Sequence, residues 1–192
     1  MYETAVSVPT LSVQNVQPRS RLTTFFRLII AIPWMLWAAL WGLAAFCVTI
    51  VAWFVLLFTG RWPEGWYAFV SSFARYYLRV YAFSFLLTDP FPPFDGDEHP
   101  EYPAQLQIGP PQTSYDRMKV LLRIFYIIPA YIVAYIAGIG LELIGFISWL
   151  AILFTGRQPD ELQNALRWCL SWSTRLMLLG SLLTETYDLN VA

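Results

Sequence analysis

The most constraining feature of this sequence is a run of 31 residues without a formal charge, from Leu28 to Phe58. A helix crosses the hydrocarbon core of a bilayer, about 30 Å thick, with about 20 residues, so this run is long enough to cross. A soluble core helix would present a polar face, and this run has none. A second run, from Ile124 to Phe154, is interrupted only by Glu142. The two runs predict an integral membrane protein.

Composition and the types of reactive residue exclude several other classes of protein. Charged residues make up 13% of the chain, against about 25% in soluble domains. Twelve Lys and Arg against 13 Asp and Glu create no field that would attract a nucleic acid. Cys47 and Cys169 lie in apolar stretches, and His99 is the single histidine. We therefore expect no metal site, no cofactor and no enzymatic activity.

Two further segments are close to spanning length but carry charge. Residues 64–87 contain Arg75 and Arg79, and residues 160–183 contain Arg167 and Arg175. We interpret both as spanning helices whose arginines turn into the helix bundle. The alternative is an amphipathic helix that lies in the membrane interface, where arginine and tryptophan are also common.

The chain is a tandem duplication with an offset of 96 residues. Comparing residues 21–89 with residues 117–185 gives 17 identities in 69 positions without an insertion. The sequence therefore divides into a first membrane repeat (1–95), an acidic, proline-rich linker (96–116) and a second membrane repeat (117–192). The matches include residue types that apolar helices rarely share by chance: Arg27 with Arg123, Pro33 with Pro129, Trp53 with Trp149, Arg79 with Arg175, and Leu86-Leu87-Thr88 with Leu182-Leu183-Thr184.

Both repeats contain the sequence Phe-Thr-Gly-Arg-x-Pro, which predicts a tight connection between two antiparallel helices. Glycine suits the left-handed position after a helix, arginine suits the negative helix end, and proline suits the next first turn. A competing role for the arginine is to bind a lipid phosphate. The residues of this helix-turn motif are Thr59, Gly60, Arg61 and Pro63 in the first repeat and Thr155, Gly156, Arg157 and Pro159 in the second.

We expect an all-α fold of four transmembrane helices, arranged as two hairpins that point in the same direction as a parallel repeat. Short interfacial or strand-like segments precede the hairpins, and Leu11–Val13 and residues 106–108 are candidates for two strands that pair with each other. Basic residues concentrate at one predicted end of the helices. The positive-inside rule then places both termini in the cytoplasm of a multi-pass plasma-membrane protein.

The spaced arginines, the helix-turn motif and the tail Leu87–Phe94 resemble a bacterial membrane-protein family, domain of unknown function 4389, over roughly residues 9 to 190. Matching residues include Pro33, Phe58 and Arg79, together with the motif from Thr59 to Pro63. The second repeat departs from this pattern at residues 186–188, where the proline-rich tail is lost. The resemblance implies a multi-pass membrane protein without established catalysis.

Charges within membrane segments are costly and are therefore candidate sites. Arg75 and Glu142 break the repeat, are of opposite sign and lie at matched depth, so we predict an intramembrane ion pair between them. The alternative is that Glu142 carries a proton or cation, since burial would raise the pKa of its carboxyl. The candidates for binding an anionic lipid are Arg79, Arg175, Arg61 and Arg157.

Two functions fit this sequence. The first is a non-catalytic accessory or scaffold subunit of a larger membrane complex, because 18% aromatic residues provide surfaces of the kind found at protein interfaces and bilayer boundaries. The second is a small homo-oligomeric transporter or lipid-handling protein. The expected partners are the lipid bilayer and either other membrane subunits or further copies of the chain.

Overall fold

A computed structural model of the protein describes residues 8–14, 19–185 and 188–191, without the side chains of Glu64, Ile124 and Tyr126. Positions 186 and 187, where the second repeat departs from the family pattern, lie outside the described residues. The described chain is mostly helical. Its helices are α1 (Arg21–Thr59), α2 (Glu64–Ser84), α3 (Arg117–Thr155) and α4 (Asp160–Gly180), so each helix of the first repeat has a partner of equal length 96 residues later.

The two lead-in segments and the C-terminal segment form a small sheet of three strands, in the order β2-β1-β3: β1 (Thr10–Val13), β2 (Ala104–Gln107) and β3 (Asn190–Val191). β1 pairs antiparallel with β2, with Leu11 opposite Leu106, which confirms the predicted pairing. β3 pairs parallel with β1 and was not predicted. Alternation places Leu11 and Val13 in the core, because successive side chains of a strand point to opposite faces.

Helices α1 and α3 are antiparallel, so the prediction of two hairpins pointing in the same direction is wrong. The Arg19 amide, just before α1, donates to the Gly156 carbonyl after α3, at 3.2 Å. At the other end, the Tyr115 amide before α3 donates to the Gly60 carbonyl after α1, at 2.8 Å.

The indole of Trp53 donates to the Val120 carbonyl at 3.1 Å, and the indole of Trp149 donates to the Thr24 carbonyl at 2.9 Å. Both residues of the first bond lie 96 positions from their counterparts in the second. The repeats are therefore related by a pseudo-two-fold axis that exchanges α1 and α3 and reverses their direction.

The four helices form two layers. α1 packs against α2 and α3, α3 packs against α4, and α2 also contacts α4 and β2. A two-fold rotation exchanges two adjacent antiparallel helices, such as α1 and α3, only if its axis is perpendicular to the plane that contains both helices. The axis therefore passes through both layers, and the outer faces of α1 and α3 lie on the same side of the molecule.

The linker reverses the direction of the second repeat by running back along α2. The backbone of Gly96 lies against Ser72, so closely that a Cβ at position 96 would lie 2.4 Å from the Ser72 carbonyl oxygen. Further along, the Tyr67 hydroxyl near the start of α2 donates to the Gly109 carbonyl at 2.8 Å. The linker is thus a packed element and not the freely solvated connection that its composition suggests.

The exposed apolar surface is concentrated on α1 and α3. Large apolar side chains are exposed along α1 from Leu22 to Phe58 and along α3 from Met118 to Phe154. α2 and its following turn show no exposed residue from position 70 to 88. Among the described helices, α1 and residues Ile127–Thr155 of α3 are long and apolar enough to cross a membrane, judged by length and composition.

Candidate functional site

The helix-turn motifs close α1 and α3 in the same way. Gly60 and Gly156 adopt the left-handed conformation, with φ of 69° and 75°, and their amides donate to the carbonyls of Leu56 and Ile152. Thr59 Oγ1 donates to Val55 and accepts from the Arg61 amide. The side chains of Arg61 and Arg157 point into solvent, so both guanidinium groups are accessible from outside.

Two buried arginines organise the ends of α2 and α4, and we call these arrangements the arginine cages. In the first, Arg27 is 1% exposed, and its Nη1 donates to the carbonyls of Phe83 at 2.9 Å and Thr88 at 2.8 Å. Its Nη2 lies 2.5 Å from Asp89 Oδ1. The cage satisfies carbonyls that a helix end leaves without an intrahelical partner.

The second arginine cage repeats the first at the offset of 96. Arg123, 5% exposed, donates to the carbonyls of Leu179 at 2.6 Å and Thr184 at 2.8 Å. The acidic residue that follows the Leu-Leu-Thr sequence in each repeat also reaches the start of the first helix of that repeat. Asp89 accepts from the Ser20 amide, and Glu185 accepts from the Asp116 amide. Each carboxylate therefore joins the end of the second helix to the N-cap of the first.

The turns inside the cages contain leucines in a conformation that usually requires glycine. Leu86 and Leu182 have φ of 63° and 64°. The amide of Leu87 donates to Ala82 and that of Leu86 to Phe83, which is the Schellman pattern at a helix C-terminus. Because Leu86 is 3% exposed, burial of its side chain offsets a backbone cost of about 1–2 kcal/mol.

Substitution at position 86 tests this balance. Leu86→Ala and Leu86→Gly both lose the buried side chain, but only glycine removes the backbone strain. We expect Leu86→Gly to be the more stable variant by about 1 kcal/mol, measured by thermal unfolding in detergent. Leu78, buried within α2, is the matched control, where glycine should be about 1 kcal/mol less stable than alanine. If the glycine and alanine variants had the same order of stability at positions 86 and 78, the proposed backbone strain at Leu86 would be contradicted.

Two of the four arginines that were candidates for binding an anionic lipid, Arg79 and Arg175, bind other parts of the protein chain. Arg79, with a side chain 4% exposed, donates to the carbonyls of Asp95 and Asp97 and lies 3.6 Å from the Asp95 carboxylate. Arg175 donates to the Leu189 carbonyl at 3.2 Å and lies over the ring of Trp172. Each arginine thus holds the segment that follows its own helix: the linker after α2 and the C-terminal segment after α4.

The predicted ion pair between Arg75 and Glu142 is not formed. Arg75 Nη2 lies 3.0 Å from Glu98 Oε1 in the linker, while Glu142 is exposed on α3. The matched depth assumed for the pair depended on parallel repeats, and reversal of the second repeat removes that match.

The linker carboxylates form a small network around His99. The imidazole nitrogens of His99 donate to Asp95 Oδ1, at 2.8 Å, and to Glu101 Oε1, at 3.1 Å, and these hydrogen bonds raise the pKa of the imidazole above its ordinary value. Partial burial acts to raise the pKa of the Asp95 carboxyl, but the hydrogen bonds from His99 and the Asp97 amide lower it overall. Within the described residues, no group of three His, Cys, Asp or Glu side chains is placed to hold a metal ion.

The arginine cages were not foreseen from the sequence, although the signal was present. In the sequence, Arg27 and Arg123 stand out as a match between the repeats, but neither is among the candidate site residues. The matching Leu-Leu-Thr-acid sequences, 59 residues after each arginine, marked the other half of each cage. Shared polar residues in two otherwise divergent apolar repeats indicate contacts that the fold requires.

These features define a duplicated, mostly helical protein in which two antiparallel repeats are closed by buried arginines, and in which α1 and most of α3 are apolar enough to cross a membrane. The family model described as domain of unknown function (DUF4389) matches residues 21–95 and 117–187, and the chain belongs to this family in two tandem copies. No curated protein and no solved structure matches the chain.

Proposed function

We propose that this protein is a non-catalytic accessory or scaffold subunit of a membrane complex. The proposal rests on the contacts of the charged side chains that were candidates for a functional site. Arg75, Arg79 and Arg175 bind the linker and the C-terminal segment of the chain itself. Their role is to hold the architecture together.

The exposed faces of α1 and α3 support the membrane part of the proposal. Contiguous exposed apolar surface of this extent is typical of a protein that contacts lipid. Four crossings would also place the linker, which packs along α2, inside the bilayer. Because α2 is covered by α1, the linker and β2, the proposal assigns contact with lipid to α1 and α3.

A partner subunit has a candidate contact on the other layer. Trp168 of α4 is 56% exposed and Trp66 of α2 is 39% exposed, on helices that are otherwise largely covered. Exposed tryptophans are frequent centres of protein interfaces, where they contribute a large part of the binding energy. We expect a partner to bind at this layer.

Purification from native membranes in a gentle detergent, followed by native mass spectrometry, tests the proposed function. The expected result is recovery with a fixed set of other subunits in a constant stoichiometry. Trp168→Ala should reduce that recovery at least tenfold, and Phe154→Ala, on the apolar face, is the matched control that should retain it. Recovery of the chain as a lone homo-oligomer would contradict the accessory function and favour the lipid-handling alternative.

A further inference from the structure

We propose that α1 and α3 lie parallel to the membrane surface and bury their shared apolar face in one leaflet, so that the protein is embedded from one side without crossing. This inference rests on the membrane part of the proposed function. The occupant of the face is the acyl layer of a phospholipid leaflet, with anionic headgroups at its two ends.

The length of the apolar face is the first argument. From Leu22 to Phe58, exposed apolar side chains extend over 36 helical steps, which is about 54 Å at 1.5 Å per residue. The hydrocarbon core is about 30 Å thick. A crossing helix would need a tilt of about 55° to keep this face in lipid, beyond the range of about 0–40° seen for transmembrane helices.

The position of the acidic linker is the second argument. The indoles of Trp34 and Trp37, in the N-terminal half of α1, donate to the carbonyls of Pro92 and Phe94, and the next linker residues, 95–97, line a cavity together with Leu40 at the centre of the helix. This contact places the linker beside the middle of α1, and the Glu98 carboxylate next to it is 68% exposed. If α1 crossed the bilayer, an exposed carboxylate would lie at mid-depth, at a cost of about 2.5–3.5 kcal/mol.

One edge of α3 provides a third argument. Tyr131, Tyr135 and Glu142 follow each other along one line of the helix, and all three are exposed. Glu142 lies near the centre of the apolar stretch Ile127–Thr155, so a crossing would place it near the bilayer midplane. In a helix parallel to the surface, this edge lies at headgroup level, where a tyrosine keeps its ring in the apolar layer and its hydroxyl in water.

The distribution of exposed arginines is the fourth argument. Arg21 lies beside Gly156 at one end of the molecule, and Arg117 lies beside Gly60 at the other. With Arg157 and Arg61 following those glycines, each end carries one exposed arginine from each repeat. Helices that cross a membrane show an excess of basic residues on one side. When buried residues are included, this molecule has four basic residues near each end: Arg19, Arg21, Arg27 and Arg157 at one, and Arg61, Arg117, Lys119 and Arg123 at the other. Equal numbers of basic residues at the two ends are expected if both ends lie at the same anionic membrane surface.

The pseudo-two-fold axis agrees with this orientation. Since it is perpendicular to the layer of α1 and α3, it becomes the membrane normal when that layer lies on the bilayer. Both repeats then enter the same leaflet from the same side. Because the two repeats would then have the same environment, this orientation accounts for the apolar face and the terminal arginines that both repeats have.

Labelling from one side of a sealed membrane tests the proposal. In a background with Cys47→Ala and Cys169→Ala, single-cysteine variants Arg21→Cys and Arg61→Cys place a thiol at either end of α1. Each is reconstituted with uniform orientation into vesicles of phosphatidylglycerol and phosphatidylcholine and treated with a membrane-impermeant maleimide. We expect both thiols to react from the same side, and reaction from opposite sides would overturn the proposal.

Spin-label depth along the face is the second measurement. Leu36, Leu43 and Ile50 are exposed on α1, and their repeat mates Ile132, Ile139 and Phe146 are the matched control set on α3. We expect all six labels to lie at one depth within a few ångströms. A crossing helix would place labels 14 residues apart at depths differing by more than about 10 Å. Such a gradient, or water-exposed labels in a soluble dimer, would overturn the proposal.

The two proposals fail separately. Reaction from opposite sides together with a retained set of partner subunits would overturn the one-sided orientation and leave the accessory function intact. Reaction from one side in a protein recovered alone would support the orientation and contradict the accessory function.

Discussion

Spin labels at positions 22 and 154 are expected to lie roughly 20 Å apart, because antiparallel α1 and α3 bring the start of one helix to the end of the other. Packed helices are spaced by about 8–10 Å, and two label side chains account for the remaining distance. Leu22 is 72% and Phe154 is 80% exposed, so the labels should not disturb the core. Pulsed electron spin resonance on the protein without its native cysteines gives this distance directly.

The matched control for this distance is the pair 22 and 118. Met118, 60% exposed, begins α3 at the opposite end of the molecule. Over a helix of 39 residues, the separation of this pair should be about 55 Å. Parallel repeats would exchange the two results, with the short distance between 22 and 118. That outcome would contradict the antiparallel fold and the one-sided membrane orientation that depends on it.

Replacement of Arg27 should have the largest effect on stability. Arg27→Met removes the guanidinium and leaves the carbonyls of Phe83 and Thr88 and the carboxylate of Asp89 without their buried partner. Breaking a buried charged contact of this kind costs about 3–5 kcal/mol. We expect a loss of that size in the free energy of unfolding, measured by circular dichroism during denaturation in detergent.

Two variants make the Arg27 prediction specific. Asp89→Asn retains both carbonyl contacts of Arg27 and should cost less, about 1–2 kcal/mol; it remains measurable if Arg27→Met does not fold. Arg61→Met removes an exposed arginine and should change stability by less than about 0.5 kcal/mol. Equal losses for Arg27→Met and Arg61→Met would show that the cage does not hold the end of α2.

Local features of this fold could be predicted from the sequence because they depend on local chemistry. The alternation around Leu11 and Leu106 is sufficient to predict two short strands, and the shared Thr-Gly-Arg sequences predict the turns after α1 and α3. In each of these cases, the residues that determine the structure lie within a few positions of it. The duplication itself is visible because shared polar residues stand out against an apolar background.

The direction of the second repeat could not be predicted in this way. Counting two helices per repeat assumes that the linker joins neighbouring helix ends, and its composition suggested a solvated chain. The close packing of Gly96 on Ser72 and the contacts of Arg79 depend on distant parts of the chain. A linker that is folded along α2 carries the chain back to the other end of the molecule. The Arg75–Glu142 prediction failed for the same reason.

The paired bonds of Trp53 and Trp149 have a consequence for a single repeat. Each repeat carries both the indole donor and the backbone acceptor that its counterpart needs, as in an isologous interface between two identical subunits. One repeat alone therefore has the complementary groups to associate with a second copy of itself about a true two-fold axis. In this geometry, the two repeats of the full chain take the places that two identical subunits would have in a homodimer. The linker fixes their stoichiometry, and each subunit is free to diverge at positions such as Arg75 and Glu142 that its counterpart lacks.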